Sequence, residues 1–282
     1  MAEHTSEVPA EGLEIDLLGT RVHMAIEDGE LTAYLTHLLR DVRASSRGKP
    51  AERFEILGGG DSDWVLRHHG KGVLRTNSRK RLIERYFAIL NDLCLDSYAG
   101  LTVHAGVIAS GSCAIAIPGP SGAGKSTLVA ACVAAGFSYV SDEALCIDSR
   151  GLKIAAYPRP ILLSDDSKRL LGIKAMSASS DDDKTPLAPA DLGGNTSSGT
   201  LHLAHVVLPV KGTALGLEPL ATNEVVPVLL ANSFNRYLDP TAAFQLIATA
   251  AASCRAWRLS YSDAPDAAAL LRRSLPFSQP SH

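Results

Sequence analysis

The stretch from Gly119 to Ser126, GPSGAGKS, constrains this chain more than any other part of it. It fits the pattern G-x-x-x-x-G-K-[ST], follows the apolar run CAIAIP, and opens the helix-forming run STLVAACVAAG. Glycines allow backbone N–H groups to converge on phosphate oxygens, and the N-terminus of the following helix adds positive charge. The stretch therefore predicts a Walker A nucleotide-binding loop on the sheet of an α/β protein.

The side chains of this loop have separate predicted roles. Lys125 is expected to neutralise charge on the β and γ phosphates, Ser126 to offer its hydroxyl to Mg²⁺, and Thr127 to help hold the α phosphate. ATP and Mg²⁺ are the predicted cofactors. The predicted nucleotide-binding residues are Gly119, Ser121, Gly122, Ala123, Gly124, Lys125, Ser126 and Thr127.

An acidic pair, Asp142 and Glu143, ends the next β-rich run, FSYVS. If strand, loop, helix and next strand pack as a unit, Asp142 lies beside the loop. There it could accept the proton of an attacking hydroxyl, or the pair could hold Mg²⁺; a solvated acidic turn is the alternative. ABC-type ATPases often contain GPSGAGKST, but their Asp-Glu pair comes far downstream, and DLGGN at 191–195 matches their second signature poorly.

The order of these motifs resembles a known family. The run VHAGVIASGSCAIAIPGPSGAGKSTLVAACVAAGFSYVSDEALCID is similar to the catalytic core of the HPr serine kinase/phosphorylase family, and especially to its HPr-kinase-like relatives with a single activity. The matching parts are His104, a hairpin turn at Gly111 and Ser112, the loop, and the acidic pair. The resemblance implies a transferase that moves the γ-phosphoryl group of ATP to a serine hydroxyl of a peptide or small protein.

The resemblance also implies roles for single residues. Asp142 would be the catalytic base, and His104 would position it or tune its pKa, although a lone histidine on a strand is more often structural. Lys125 would complete the catalytic set. Glu143 would bind Mg²⁺ together with Ser126, in a position where the family commonly has the shorter Asp.

Two features of the sequence leave the identity of the phosphate acceptor undetermined. No segment after Pro160 resembles the R-G-x-G signature linked to dephosphorylation, so reverse phosphorylase activity and recognition of HPr are not expected. Related kinases without that segment modify ribosomal peptides, notably the C-terminal serine of lasso-peptide precursors. The alternatives are a small-molecule kinase and a nucleotide-binding regulatory module without phosphotransfer.

The predicted fold is an α/β P-loop kinase core of the HPr-kinase type, a mixed sheet with flanking helices, plus a small N-terminal α+β domain. Residues 1–12 are expected to form a disordered tail and 13–100 the N-terminal domain, in which LEIDLLGTRVHMAI reads as a strand. Residues 101–282 would form the catalytic domain, with a mobile loop at about 174–200. The resemblance also allows a homo-oligomer, because HPr kinases assemble as oligomers.

Composition excludes some partners. With a formal net charge of −3 and 20% charged residues, the chain has no excess positive charge to attract nucleic acid or an anionic membrane. No apolar run approaches a membrane span, and the polar start is not a signal peptide. The cysteines form no C-x-x-C pair and are expected to be reduced core residues of a cytoplasmic protein; they are Cys94, Cys113, Cys132, Cys146 and Cys254.

Other polar residues are weaker candidates. Arg159, between two prolines, could contact a phosphate or brace a turn, and the sequence does not decide between these roles. Asn232 and Arg236 could bind substrate, but helix-end capping is favoured. His202 and His205 are expected to be structural.

Overall fold

The computed structural model describes residues 12–44, 49–60, 62–148, 153–173, 184–235 and 239–277. Within these ranges the protein is mixed α/β, which confirms the predicted class. The chain divides into two compact units, Met1–Tyr98 and Ala99–His282. Apart from Gly12, the predicted N-terminal tail lies outside the described residues.

The first unit contains a sheet with the strand order β1-β2-β3-β4-β5, in which only β2 and β3 are parallel. The expected single strand LEIDLLGTRVHMAI is instead a hairpin, because Leu18 and Gly19 turn the chain with φ of 53° and 82°. The elements are β1 (Leu13–Leu17), β2 (Thr20–Ile26), α1 (Gly29–Leu38), β3 (Glu52–Leu57), β4 (Trp64–His68), β5 (Lys71–Thr76) and α2 (Arg79–Ser97).

Helix α2 covers one face of this sheet because its apolar residues recur at helical spacing. The helix begins after Ser78, whose hydroxyl accepts a hydrogen bond from the Arg81 N–H. Leu82 and Tyr86 are buried, and the Tyr86 ring packs edge-on against Phe54 of β3 with ring centroids 5.2 Å apart. The first unit therefore has its own hydrophobic core.

The second unit is built on a sheet with the order β10-β9-β6-β7-β13-β15-β14, and β8 also pairs with β6. A separate two-stranded sheet joins β11 and β12. The strands are β6 (Leu101–Ser110), β7 (Cys113–Pro118), β8 (Ser138–Ser141), β9 (Ala144–Ile147), β10 (Lys153–Ala155), β11 (Ile161–Ser164), β12 (Lys184–Leu187), β13 (Leu201–Lys211), β14 (Gly216–Leu220) and β15 (Arg255–Tyr261). The helices are α3 (Lys125–Ala134), α4 (Asp165–Leu170), α5 (Thr222–Ala231), α6 (Pro240–Ser253) and α7 (Ala264–Ser274).

Helices cover both faces of the larger sheet. Strand residues such as Ile115 and Ile117 pack with α3 and α7, whereas their neighbours Ala114 and Ala116 pack with α5 and α6. Side chains alternate between the two faces of a strand, so a continuously apolar strand such as β7 fits between two helical layers. β7, β13 and β15 are mutually parallel and form the centre of the sheet.

The turn predicted at Gly111 and Ser112 is confirmed, because β6 and β7 pair antiparallel with Ser110 opposite Cys113. The predicted loop at about 174–200 differs from the structure in its described part. Residues 184–187 form β12, and Pro189–Leu192 forms a 3-10 helix; residues 174–183 lie outside the described residues.

The chain after this 3-10 helix lies along β8. Tyr139 N donates to Asn195 O at 2.8 Å, and Ser197 N donates to Tyr139 O at 2.7 Å. Gly194 approaches α3 so closely that an added Cβ would lie 2.1 Å from a methyl carbon of Val133. A glycine is therefore required where this segment crosses the helix.

Candidate functional site

The glycine-rich loop connects the end of β7 to the start of α3. Gly122 and Gly124 have φ of 81° and 83°, a left-handed conformation that side chains disfavour. Gly124 precedes α3 and has no side chain to cap the helix, so N–H groups of the first turn can bind an external acceptor. Ser121 and Gly122 are exposed, whereas Ala123 is half-buried.

Lys125 turns back into the loop instead of extending into solvent. Its Nζ donates to the carbonyl oxygens of Gly119 and Pro120, both at 2.7 Å, and only 5% of the residue is exposed. Burial lowers the pKa of the Lys125 ammonium below its ordinary value of 10.5, and the charges of Glu143 and Asp142 offset part of that effect. The loop therefore holds a buried cation near two acids.

His104 on β6 connects this lysine to the acidic pair. Its Nδ1 lies 3.0 Å from the Glu143 carbonyl oxygen, which can only accept, and its Nε2 lies 3.0 Å from Lys125 Nζ, which as an ammonium can only donate. These partners place the imidazole hydrogen on Nδ1 and leave the Nε2 lone pair for the lysine. His104 is thus a neutral bridge between the loop and the acids.

The acidic pair occupies the turn between β8 and β9, and a guanidinium binds both carboxylates. Arg159 Nε lies 3.3 Å from Asp142 Oδ1, and one of its terminal nitrogens lies 2.7 Å from Glu143 Oε2. Burial alone would lower the pKa of Arg159, but Asp142 and Glu143 outweigh it and raise that pKa. Arg159 therefore braces the acid turn.

Asp142 is only 3% exposed, and further groups fix its orientation. The hydroxyl of Tyr139 lies 3.2 Å from Oδ1, and the N–H of Leu162 donates to Oδ2 at 3.4 Å. Burial, followed by the charge of Asp142, raises the pKa of Tyr139, so its phenol stays a neutral donor. The alternative of a solvated acidic turn does not fit the structure, because Asp142 is buried and its carboxylate has the hydrogen-bond partners that burial requires.

Ser126 and Thr127 lie in the first turn of α3 and are half-buried. The Thr127 hydroxyl is 2.7 Å from the Ser167 hydroxyl of α4, which in turn is 3.0 Å from that of Ser164. This hydroxyl chain links the loop helix to the start of α4. Sequence reasoning missed Ser164 and Ser167, because isolated serines have no distinguishing pattern.

A cavity of about 460 Å³ opens beside the loop and Glu143. On its far side, the chain after α5 is fixed to β6 by backbone hydrogen bonds from His104 N to Asn232 O and from Phe234 N to Thr102 O. The ring of Phe234, 42% exposed, packs edge-on against His104. The lining residues are His104, Pro120, Ser121, Glu143, Ala231, Asn232, Ser233 and Phe234.

The other predicted candidates have structural surroundings. The Asn232 side chain donates to Val228 O at 2.8 Å, as expected for helix-end capping. His205 is buried, donates from Nε2 to Pro276 O at 2.9 Å, and accepts a hydrogen bond from the Trp257 indole at Nδ1. Arg236 lies outside the described residues.

Among the described residues, no helix is both long and apolar enough to cross a membrane. In a comparison with models of known protein families, none matches the chain. A comparison with curated proteins finds no similar sequence.

Proposed function

We propose that this protein is an ATP- and Mg²⁺-dependent kinase of the HPr-kinase-like type, which phosphorylates a serine hydroxyl of a peptide or small protein. The observation that carries this proposal is the continuous network from Lys125 through His104 and Glu143 to Arg159 and Asp142. This network joins a buried cation, a neutral imidazole and two acids, and its members His104 and Glu143 line one cavity. The lysine and Asp142 have the charges that phosphoryl transfer requires at the donor and at the acceptor.

The loop supports binding of the ATP phosphates. Left-handed glycines and an uncapped helix N-terminus offer several N–H donors, and a triphosphate gives Lys125 charged oxygens in place of the neutral carbonyls of Gly119 and Pro120. This exchange of partners would favour the nucleotide, because hydrogen bonds to charged acceptors are stronger than those to neutral ones.

The residues also fit a Mg²⁺ ion. Ser126 offers a hydroxyl in the first turn of α3, and Glu143 offers Oε1, which lies 3.6 Å from His104 Nδ1 while Arg159 binds Oε2. Oxygen donors of these types are the ligands Mg²⁺ prefers. When bound, Mg²⁺ would neutralise charge on the transferred phosphate.

In the proposed step, Asp142 accepts the proton of the substrate hydroxyl. The serine oxygen forms a bond to the γ phosphorus as the bond to the β–γ bridging oxygen breaks, ADP leaves, and the hydroxyl proton moves to Asp142. In a loose transition state, positioning of the hydroxyl matters more than early removal of its proton.

The cavity offers a binding place for the phosphate acceptor next to Glu143. Its rim combines the carboxylate of Glu143 with the exposed ring of Phe234, so a serine and an apolar neighbour could bind together. The volume also falls in the range of small-molecule pockets, which favours a small-molecule kinase as the second candidate. The two candidates differ only in the acceptor.

The test compares the wild type with Asp142→Asn, using γ-labelled ATP, Mg²⁺ and a library of serine-containing peptides, with a pool of small alcohols in parallel. We expect phosphoserine from the wild type and a loss of at least about 10²-fold in the variant, as for removal of a general base. Phosphorylation of a small alcohol alone would select the second candidate.

Asp166→Asn is the matched control, because Asp166 is an exposed acid on α4 whose carboxylate pairs with Arg169. It should retain full activity. Nucleotide affinity and thermal unfolding of Asp142→Asn show whether the variant still folds. A folded, ATP-binding Asp142→Asn protein with wild-type turnover would contradict the proposal, as would a wild type that transfers phosphate to no acceptor.

A further inference from the structure

Three side chains outside the candidate kinase site converge in the first unit. Glu52 begins β3, His68 ends β4, and His69 follows in the turn to β5. Oε2 of Glu52 lies 2.5 Å from Nε2 of His68 and 2.9 Å from Nε2 of His69. All three atoms are within 4.8 Å of one another, and this is the only such group of His, Cys, Asp or Glu among the described residues.

The backbone fixes two of these side chains. In the pairing of β3 with β4, His68 lies opposite Phe54, and the two rings stack with centroids 4.5 Å apart and an angle of 14° between their planes. The imidazole therefore has little freedom to rotate. Glu52 precedes Phe54 by two residues on the same strand, so its side chain emerges on the same face.

The hairpin turn between β4 and β5 positions the third side chain, that of His69. His69 has φ of 48° and Gly70 has φ of 74°, so both residues adopt the left-handed conformation of a two-residue hairpin turn. The His69 N–H donates to Arg53 O at 2.9 Å and fixes this end of the turn against β3. Residues other than glycine are uncommon at positive φ, histidine being one of the more frequent among them, and here His69 brings a second imidazole to the same carboxylate oxygen.

The donor set favours zinc. Two imidazole nitrogens and one carboxylate oxygen are borderline to hard ligands, which Zn²⁺ binds at about 2.0–2.2 Å in a tetrahedron. That geometry requires about 3.3 Å between ligand atoms, so small rotations of the Glu52 and His69 side chains would lengthen the present separations of 2.5 and 2.9 Å from Glu52 Oε2 to this spacing. Calcium and magnesium prefer oxygen ligands alone and would be poor occupants.

The cluster is accessible from solvent. The side chain of His69 is 48% exposed, while those of Glu52 and His68 are 20% and 24% exposed. An ion could enter from the side of His69, and three protein ligands leave one coordination position for water or an external ligand.

We propose that Glu52, His68 and His69 bind one Zn²⁺ ion, which ties the β4–β5 hairpin to the start of β3. The ion would replace the hydrogen bonds that Glu52 Oε2 now shares with both imidazoles, and the two Nε2 lone pairs would face the metal. Binding requires both imidazoles to be deprotonated at Nε2, with the ring hydrogen on Nδ1. The site belongs to the first unit, whereas the candidate kinase residues all lie after Ala99, in the second.

The test titrates the full chain, purified without a histidine tag, with Co²⁺, whose visible absorption reports tetrahedral coordination by protein ligands. Zn²⁺ affinity follows from competition with a chromogenic chelator. We expect one equivalent to bind, and we expect Glu52→Gln and His69→Asn each to weaken binding by at least about tenfold. Asn tolerates the left-handed conformation, so the His69 variant should retain the turn.

The matched control is His23→Asn. His23 Nδ1 lies 2.6 Å from Glu14 Oε1 in the same sheet, so this pair has similar chemistry but only two ligands. The His23→Asn variant should bind Zn²⁺ as the wild type does. Zn²⁺ should raise the unfolding temperature of the wild type and of His23→Asn, but not that of His69→Asn. Failure of the wild type to bind one equivalent, or equal losses in His23→Asn and His69→Asn, would overturn the proposal.

Discussion

At the scale of single residues, Arg159 determines the electrostatics of the candidate site. One guanidinium pairs with two adjacent carboxylates, and Asp142 is almost completely buried. Removing one partner of a buried ion pair leaves an uncompensated charge, which is more costly than the loss of the attraction itself. Arg159 is therefore expected to matter for stability as well as for the position of Asp142.

Arg159→Met should lower the free energy of unfolding by about 3–5 kcal/mol, because the carboxylates of Asp142 and Glu143 would lose their ion-pair partner. Urea denaturation measures this change. The double variant Asp142→Asn/Arg159→Met should lose less than the sum of the single changes. Arg169→Met is the control, because Arg169 is exposed and pairs with Asp166 at the surface. It should change stability by less than about 0.5 kcal/mol, and an equal effect of both arginines would contradict the argument.

The sequence predicted the loop and the acidic pair because each has a local pattern. It left Arg159 undecided, since an arginine between prolines has the same local signature whether it contacts a phosphate or braces a turn. Tyr139 and Phe234 were missed for a related reason. Their roles depend on long-range contacts with Arg159 O and His104, which no local pattern contains.

At the scale of elements, helix starts show how far local chemistry determines structure. Asp28 precedes α1, and its carboxylate accepts the Leu31 N–H at 2.9 Å. That hydrogen bond lowers the pKa of Asp28 below its ordinary value of 3.8, against the opposing effect of burial. The stabilisation is therefore fully present above pH 3.8 and is lost as the pH falls through the lower pKa of the folded state.

Asp28→Ala should lower stability by about 1 kcal/mol at neutral pH, through loss of the N-cap. Asp28→Asn keeps an acceptor oxygen and should lose less. The difference between the wild type and Asp28→Asn should shrink as the pH falls below 3.8, which chemical denaturation at several pH values would show. A difference independent of pH would show that the charge of Asp28 contributes nothing.

Strand boundaries were harder to predict than helix starts. In the run LEIDLLGTRVHMAI the buried positions shift from odd numbers, such as Ile15, to even numbers, such as Val22, and the prediction overlooked this break at Leu18 and Gly19. Residues 184–192 have a loop-like composition, but pairing with β11 makes part of them a strand. In this second case tertiary pairing overrides local preference.

At the scale of the whole molecule, the candidate kinase site belongs to a single unit. Every residue in its network lies between His104 and Phe234, in the unit that starts at Ala99. That unit contains its own sheet and hydrophobic clusters on both faces of it. Independent folding is the usual property of a unit with its own core.

A chain of residues 99–282 should therefore bind MgATP with a dissociation constant within about threefold of that of the full chain. Isothermal titration calorimetry would measure it. Lys125→Ala in the same shortened chain should weaken binding at least about tenfold, because it removes a charged donor to the phosphates. A folded 99–282 chain that does not bind MgATP, when the full chain does, would contradict the assignment of the site to this unit.

The segment that lies along β8 has a consequence for self-association. A strand with an unpaired side presents free N–H and C=O groups, to which another copy of the chain can add a strand. On the side of β8 away from β6, the N–H of Tyr139 is already hydrogen-bonded to Asn195 and its C=O to Ser197. Gly194 packs against Val133 directly before this segment, so we expect this small contact to hinder strand-mediated aggregation.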